Sequence, residues 1–160
     1  MNDFDSTMLQ TPPVFSNGST GVSINIVYPE GIKYHLGYIN FLEGCKTRIK
    51  NMHWAAKNLL NSDKKGAHQY LDAFLFEVSS VQDTIAEVAQ GMYEELKLKD
   101  VVGEVIDCET TSELMNKMIS KTLEYYSGLT TDAKNSGIKS DVEVFISLLY
   151  KYKYLFRLTE

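Results

Sequence analysis

Cysteine, basic charge and long apolar runs are all scarce in this chain of 160 residues, and each scarcity removes a class of protein. Two cysteines occur, Cys45 and Cys108, far apart and in no CxxC pair. That excludes a disulfide framework and fits a reducing compartment. No apolar run approaches the ~18 residues that read as a bilayer span. The longest candidate, Val142 to Phe156, is broken by Lys151 and Lys153. The first residues, Met1 to Thr11, lack a basic start followed by an apolar stretch, so no secretory signal is visible. Asn17-Gly18-Ser19 is therefore read as a chance match to a glycosylation sequon. Sixteen Lys and Arg face 21 Asp and Glu, a formal charge of −5. Affinity for DNA rests on clustered Lys and Arg, so this balance argues against a nucleic-acid partner and suits attraction of cations. The expectation is a soluble, cytoplasmic protein with no membrane segment.

What is present is enough for one core: 44% of residues are hydrophobic and 11% aromatic. Residues 1 to about 30 stand apart. Pro12-Pro13 and the run from Ser16 to Gly21 read as loop, whereas Val22 to Tyr28 alternates like a short strand stopped by Pro29 and Gly31. A lone strand cannot satisfy its own backbone, so this segment pairs with a partner, packs as an arm, or stays disordered.

From Tyr34 the period changes. Leu36, Ile39, Leu42, Cys45, Ile49, Met52, Ala56 and Leu59 recur at helical spacing. The run from Asn61 to Gly66 breaks this helix, and a second spans about 67–96 without proline. A polar connection containing Gly103 follows. The third helix starts near Thr111 or Ser112 and ends before the stop signal at Lys134 to Gly137. The fourth is expected to open at Ser140, where Ser140-x-x-Glu143 has capping-box spacing. The chain thus divides into an extended arm, 1–33, and an all-α four-helix bundle, 34–160.

Five polar residues sit where a simple solvent face does not explain them: His53 on the first helix, and His68, Asp72, Asp83 and Glu87 on the second. At ~100° per residue, the last four fall within an arc of roughly 100° that also holds Phe76 and Ser79. Carboxylates beside an aromatic ring on a packing face need a partner, and a cation supplies one. Asp72 and Asp83 are eleven residues apart, ~16 Å along a helix, so they cannot share an ion within one chain. Two antiparallel copies of the helix, related by a two-fold axis between Glu77 and Val78, remove that obstacle. Asp72 then faces Asp83 of the mate, and His68 faces Glu87. His53 can complete each site from the first helix. Mixed imidazole and carboxylate ligands suit iron(II), with zinc and manganese as alternatives. The plain alternative is that these side chains are satisfied core or interface polar groups, and spacing alone does not decide between the two.

The segments His53-Trp54, His68-x-x-x-Asp72 and Asp83-x-x-x-Glu87 resemble the signature of the Dps family, a branch of the ferritin superfamily. The likeness spans roughly residues 35 to 95. It implies a ferritin-like bundle that assembles into a hollow dodecamer. It also implies oxidation of iron(II), usually by hydrogen peroxide, at an inter-subunit ferroxidase site, with storage of the ferric mineral inside. His53, His68 and Asp72 would come from one subunit, Asp83 and Glu87 from the other. Trp54, the only tryptophan, would lie near the iron and intercept radicals, or else serve as a packing aromatic. The chain departs from the family in three places. The interval from His53 to His68 is about three residues longer, the basic N-terminal tail of DNA-binding members is absent, and the strand-like arm is unusual. The E-x-x-H motif of di-iron ferritins is missing too.

A rival reading rests on the arm. A ferritin-like bundle can instead serve as a structural component of a larger particle, including a phage-encoded one, with residues 22–28 adding a strand to a protein partner. Other residues receive plainer expectations. His35 reads as a surface or capping group. Tyr125, Tyr126, Tyr150, Tyr152 and Tyr154 read as core or interface, and Glu94, Glu95 and Asp100 as a solvated helix end.

Overall fold

Four segments with apolar residues every third or fourth position are helices: α1 (Ile32–Lys57), α2 (Ser62–Met92), α3 (Thr111–Gly128) and α4 (Ser136–Arg157). The computed structural model describes residues 31–57, 62–93, 95–97, 99–131 and 133–159. The expected strand at 22–28, nearly all of the expected arm, and Glu94 lie outside them. Among the described residues there is no strand, and no helix is long and apolar enough to cross a membrane.

Two boundaries differ from expectation for local reasons. Helix α2 starts at Ser62, within the polar run expected to be a break, so that run adds a turn to the helix. Helix α4 opens at Ser136 behind Asn135, four residues before Ser140. Ser140 and Glu143 therefore lie inside the helix, and the Glu143 carboxylate accepts a hydrogen bond from the Tyr126 hydroxyl. The true capping box is at α3. The Thr110 hydroxyl accepts from Glu113 N at 3.1 Å, and the Glu113 carboxylate accepts from the Thr110 and Glu109 amides.

The direction of each helix follows from its contacts. Gln82 on α2 donates to Ile39 O on α1 at 3.0 Å, and His68 Nδ1 lies 3.4 Å from His53 O. Moving 14 residues forward on α1 moves 14 back on α2, so the two are antiparallel. Tyr126 with Glu143, and Asn116 with Lys153, set α3 against α4 in the same way. His35 with Tyr125, and Tyr38 with Thr122, set α1 against α3. Tyr70 and Phe74 meet Phe156 and Tyr152, which sets α2 against α4. Every neighbouring pair is antiparallel, and α2 and α3 lie across a diagonal of the bundle. Since α2 and α3 point the same way, residues 93–110 must climb the length of the bundle to join them. They do so along α1.

That climb is pinned residue by residue. Asn40 takes Val102 N on its side-chain oxygen at 2.8 Å and Glu104 N on its backbone carbonyl at 3.1 Å. Further up, Arg48 donates to Cys108 O. Gly44 makes the close approach possible: a Cβ there would sit 2.0 Å from Glu104 O. Inside the bundle, Leu42, Ile49, Phe74, Val78, Ile85, Met115, Met118, Val142 and Leu149 are fully buried. Each contributes on the order of 1.5–3 kcal/mol of transfer free energy.

Candidate metal-binding face on α2

The outer side of α2 is set by its own periodicity. Leu71, Phe74, Val78, Gln82, Ile85 and Ala89 turn inward, which leaves Asp72, Phe76, Ser80, Asp83 and Glu87 facing out. The three carboxylates form no ion pair or hydrogen bond among the described residues. Phe76 sits in the middle of this acidic row with 73% of its surface exposed. An aromatic ring held out among carboxylates is an unfavourable solvent face, left uncovered by the other described residues.

His68 lies at the edge of the same face, where α2 meets α1. Its ring centroid is 3.9 Å from that of His53, with the planes inclined by 34°. The longer interval between these histidines does not separate them, because α1 and α2 keep their register. The two rings are thus in close, tilted contact. His53 Nδ1 is buried and has no hydrogen-bond partner among the described residues, which leaves an imidazole nitrogen with a lone pair or proton to place. Among the described residues, no three His, Cys, Asp or Glu side chains gather closely enough within the chain to hold a metal ion. The five expected ligands therefore divide: His53 and His68 are together, Asp72 lies one turn beyond His68, and Asp83 and Glu87 are further along α2. Trp54 points outward with 61% of its surface exposed.

His35 is buried, against the expectation of a surface or capping group. Its Nδ1 lies 2.6 Å from the Tyr125 hydroxyl, and its ring is flanked by Tyr34 and Tyr93. Tyr125 stacks on Tyr38 at 4.1 Å. Burial pushes the Tyr38 and Tyr125 hydroxyls well above the ordinary tyrosine range and lowers the His35 pKa. Ile32 extends the α1 stripe one turn before Leu36, and His35 falls on the same buried face as Tyr38, Ile39 and Leu42. Tyr125 and Tyr152 are core as expected, whereas Tyr150 and Tyr154 are exposed. A second network has no sequence signature of its own. Lys46 bridges the Glu43 carboxylate and Gln82 Oε1, both at 2.8 Å, and its hydrogen bond holds the Glu43 pKa down.

A pH prediction follows from His35. Its folded-state pKa lies below the unfolded value, so as pH falls the unfolded chain binds a proton first. The favourable contribution is present above about pH 6.5 and is lost as pH drops toward the folded pKa. Urea denaturation midpoints should therefore fall between about pH 7.5 and 5, and His35→Gln should flatten that dependence.

Comparison with protein-family models, with curated proteins and with solved structures finds no match to this chain.

Proposed function

We propose that this chain is a Dps-like iron-oxidising and iron-storing protein, whose ferroxidase site closes when two copies of α2 meet across a dyad. The observation that carries the reading is the outward row of Asp72, Phe76, Asp83 and Glu87, unpartnered among the described residues, in which Asp72 mirrors Asp83, His68 mirrors Glu87 and Ser79 mirrors Phe76 about one midpoint. A two-fold contact there sets Phe76 of each copy against the small Ser79 of the other and buries both rings. It also brings His53, His68 and Asp72 of one chain toward Asp83 and Glu87 of its mate. Three carboxylates per site repel one another until a cation enters, so the contact and the ion favour each other. The connectivity supports the same reading: one long crossover between diagonal helices is the arrangement of ferritin-like bundles.

Iron(II) is the substrate. His53 and His68 offer nitrogen donors and the acids offer oxygen donors, a set suited to both iron oxidation states. Two iron(II) ions each give one electron to hydrogen peroxide, its O–O bond breaks, and two protons complete two waters. The exposed Trp54 would stand beside the histidines as an oxidisable ring. Storage requires a closed shell, and outward-facing Val144, Tyr150 and Tyr154 on α4 provide apolar surface for further subunit contacts.

The test is iron(II) oxidation followed by ferric absorbance. Wild type should oxidise iron(II) with peroxide at least ~10-fold faster than Asp83→Ala/Glu87→Ala, a modest demand for the loss of two of five ligands. Equal rates would rule out this site. Gel filtration should give a closed assembly of twelve 18.1 kDa chains; a ring, or a monomer that assembles only with a foreign protein, would favour a structural component instead.

A further inference from the structure

The iron reading leaves one buried cluster unused, where the start of α1 meets α3 beside Tyr93, just past the end of α2. At its centre, Tyr125 and His35 keep only 3% and 2% of their surface, and the phenol oxygen lies 2.6 Å from Nδ1. The Tyr125 hydroxyl has no other acceptor among the described residues, so it donates to Nδ1, and Nε2 carries the ring proton. Burial lowers the His35 pKa and raises that of Tyr125, so at about pH 7 the imidazole is neutral and the phenol protonated. The neighbouring hydroxyls are engaged elsewhere: Tyr34 donates to Tyr125 O, and Tyr38 meets Thr122.

The rings around this pair are in contact. Tyr38 stacks on Tyr125 at 4.1 Å with the planes inclined by 10°, and Tyr34 stacks on it at 5.2 Å. Tyr93, 41% exposed, packs on the His35 ring at 5.5 Å, and that ring meets Tyr125 edge-on at 5.9 Å. Aromatic contacts therefore run unbroken from a surface tyrosine to Tyr125. Packing alone would be served by phenylalanine at 125, which leaves no hydroxyl to satisfy. A phenol offers something more. It yields an electron readily when its proton leaves at the same moment, because the oxidised phenol is a very strong acid. His35 is a neutral base already at hydrogen-bond distance from that proton.

We propose that Tyr125 is a redox-active tyrosine, which gives one electron to a strong oxidant while passing its phenolic proton to His35 Nδ1. The O–H bond breaks, and the products are a neutral tyrosyl radical and an imidazolium facing it. The electron leaves through the Tyr34 or Tyr93 ring, and a hydroxyl radical that takes it becomes hydroxide. One electron from iron(II) restores the phenol as the proton moves back, leaving iron(III). Helix register gives the pair its use. Ile39 lies level with Gln82, which sets Tyr34 to Tyr38 level with Asp83 to Glu87 and one interhelical distance away, about 8–10 Å. The cluster thus stands behind the carboxylate half of the proposed iron site, placed to quench radicals that iron(II) and peroxide release. That use rests on the iron reading, whereas the chemistry of the pair does not.

Photogenerated ruthenium(III) tris-bipyridine, a one-electron oxidant, tests the pair with no iron present. Electron paramagnetic resonance of the full-length chain, frozen after illumination, should show a persistent tyrosyl radical. Tyr125→Phe removes a single oxygen and keeps the stacked rings, and it should remove most of that signal. His35→Gln can still accept the hydrogen bond but cannot take the proton, so it should suppress the signal as well. Tyr154→Phe, at an exposed tyrosine, should leave it unchanged. No persistent radical in wild type, or an undiminished one in Tyr125→Phe or His35→Gln, would overturn the proposal. A radical raised by ruthenium but not by iron(II) with peroxide would uphold the pair and count against the iron site instead.

Discussion

Mixing two inactive variants is expected to restore activity. His68→Ala/Asp72→Ala removes one half of the proposed site, and Asp83→Ala/Glu87→Ala removes the other. In a mixed dimer of the two, one of the two sites draws all its ligands from intact halves, and the other is doubly broken. Random pairing at equal amounts makes half the dimers mixed, so about a quarter of wild-type sites should be whole. Iron(II) oxidation should recover in that proportion after the two chains are unfolded and refolded together. Each variant alone should stay at the rate of iron(II) in buffer. No recovery from a mixture shown to contain mixed dimers would mean that the ligands do not meet across a dyad.

The second large effect concerns stability. Phe74 is fully buried, 4.7 Å from the Tyr152 ring and 5.8 Å from Phe156, and it joins α2 to α4. Phe74→Ala should cost about 3–5 kcal/mol, through lost transfer free energy and the cavity left among rings that cannot close up. Against a total stability on the order of 5–15 kcal/mol, that is enough to bring the chain near unfolding. Urea denaturation checks it. A loss under about 1 kcal/mol would mean that Tyr152 and Phe156 collapse into the space. Because Phe74 and Phe76 lie on opposite sides of one helix, Phe76→Ala should leave the stability of the isolated chain nearly unchanged. It should weaken self-association instead.

The sequence is legible where periodicity and capping agree. The apolar stripe from Leu36 to Ala56 locates α1. The arc holding Asp72, Phe76, Asp83 and Glu87 is recognisable as one face before its direction is known. Boundaries fail where a local signal has two meanings. Ser140-x-x-Glu143 has capping spacing, yet the same spacing occurs inside any helix, and Asn135 takes the cap position. His35 is misplaced by the sequence because a polar residue at the edge of a stripe says nothing about its partner. Tyr125 lies 90 residues away, and only the folded chain brings its hydroxyl to the imidazole. The same limit governs the crossover. Asn40 looks like an ordinary helix residue until the chain from Asp100 to Glu104 lies across it.

The matched step of 14 residues between the Gln82 and His68 contacts has a consequence for how this protein can change. The pairing of the two histidines keeps the register of contacts well inside α1 and α2, so the length of the connector between the helices is uncoupled from that pairing. Residues can be gained or lost in that connector with little entropic effect, since closure cost grows only slowly with loop size. The imidazoles would stay in step while the outer contour of the molecule varied around them.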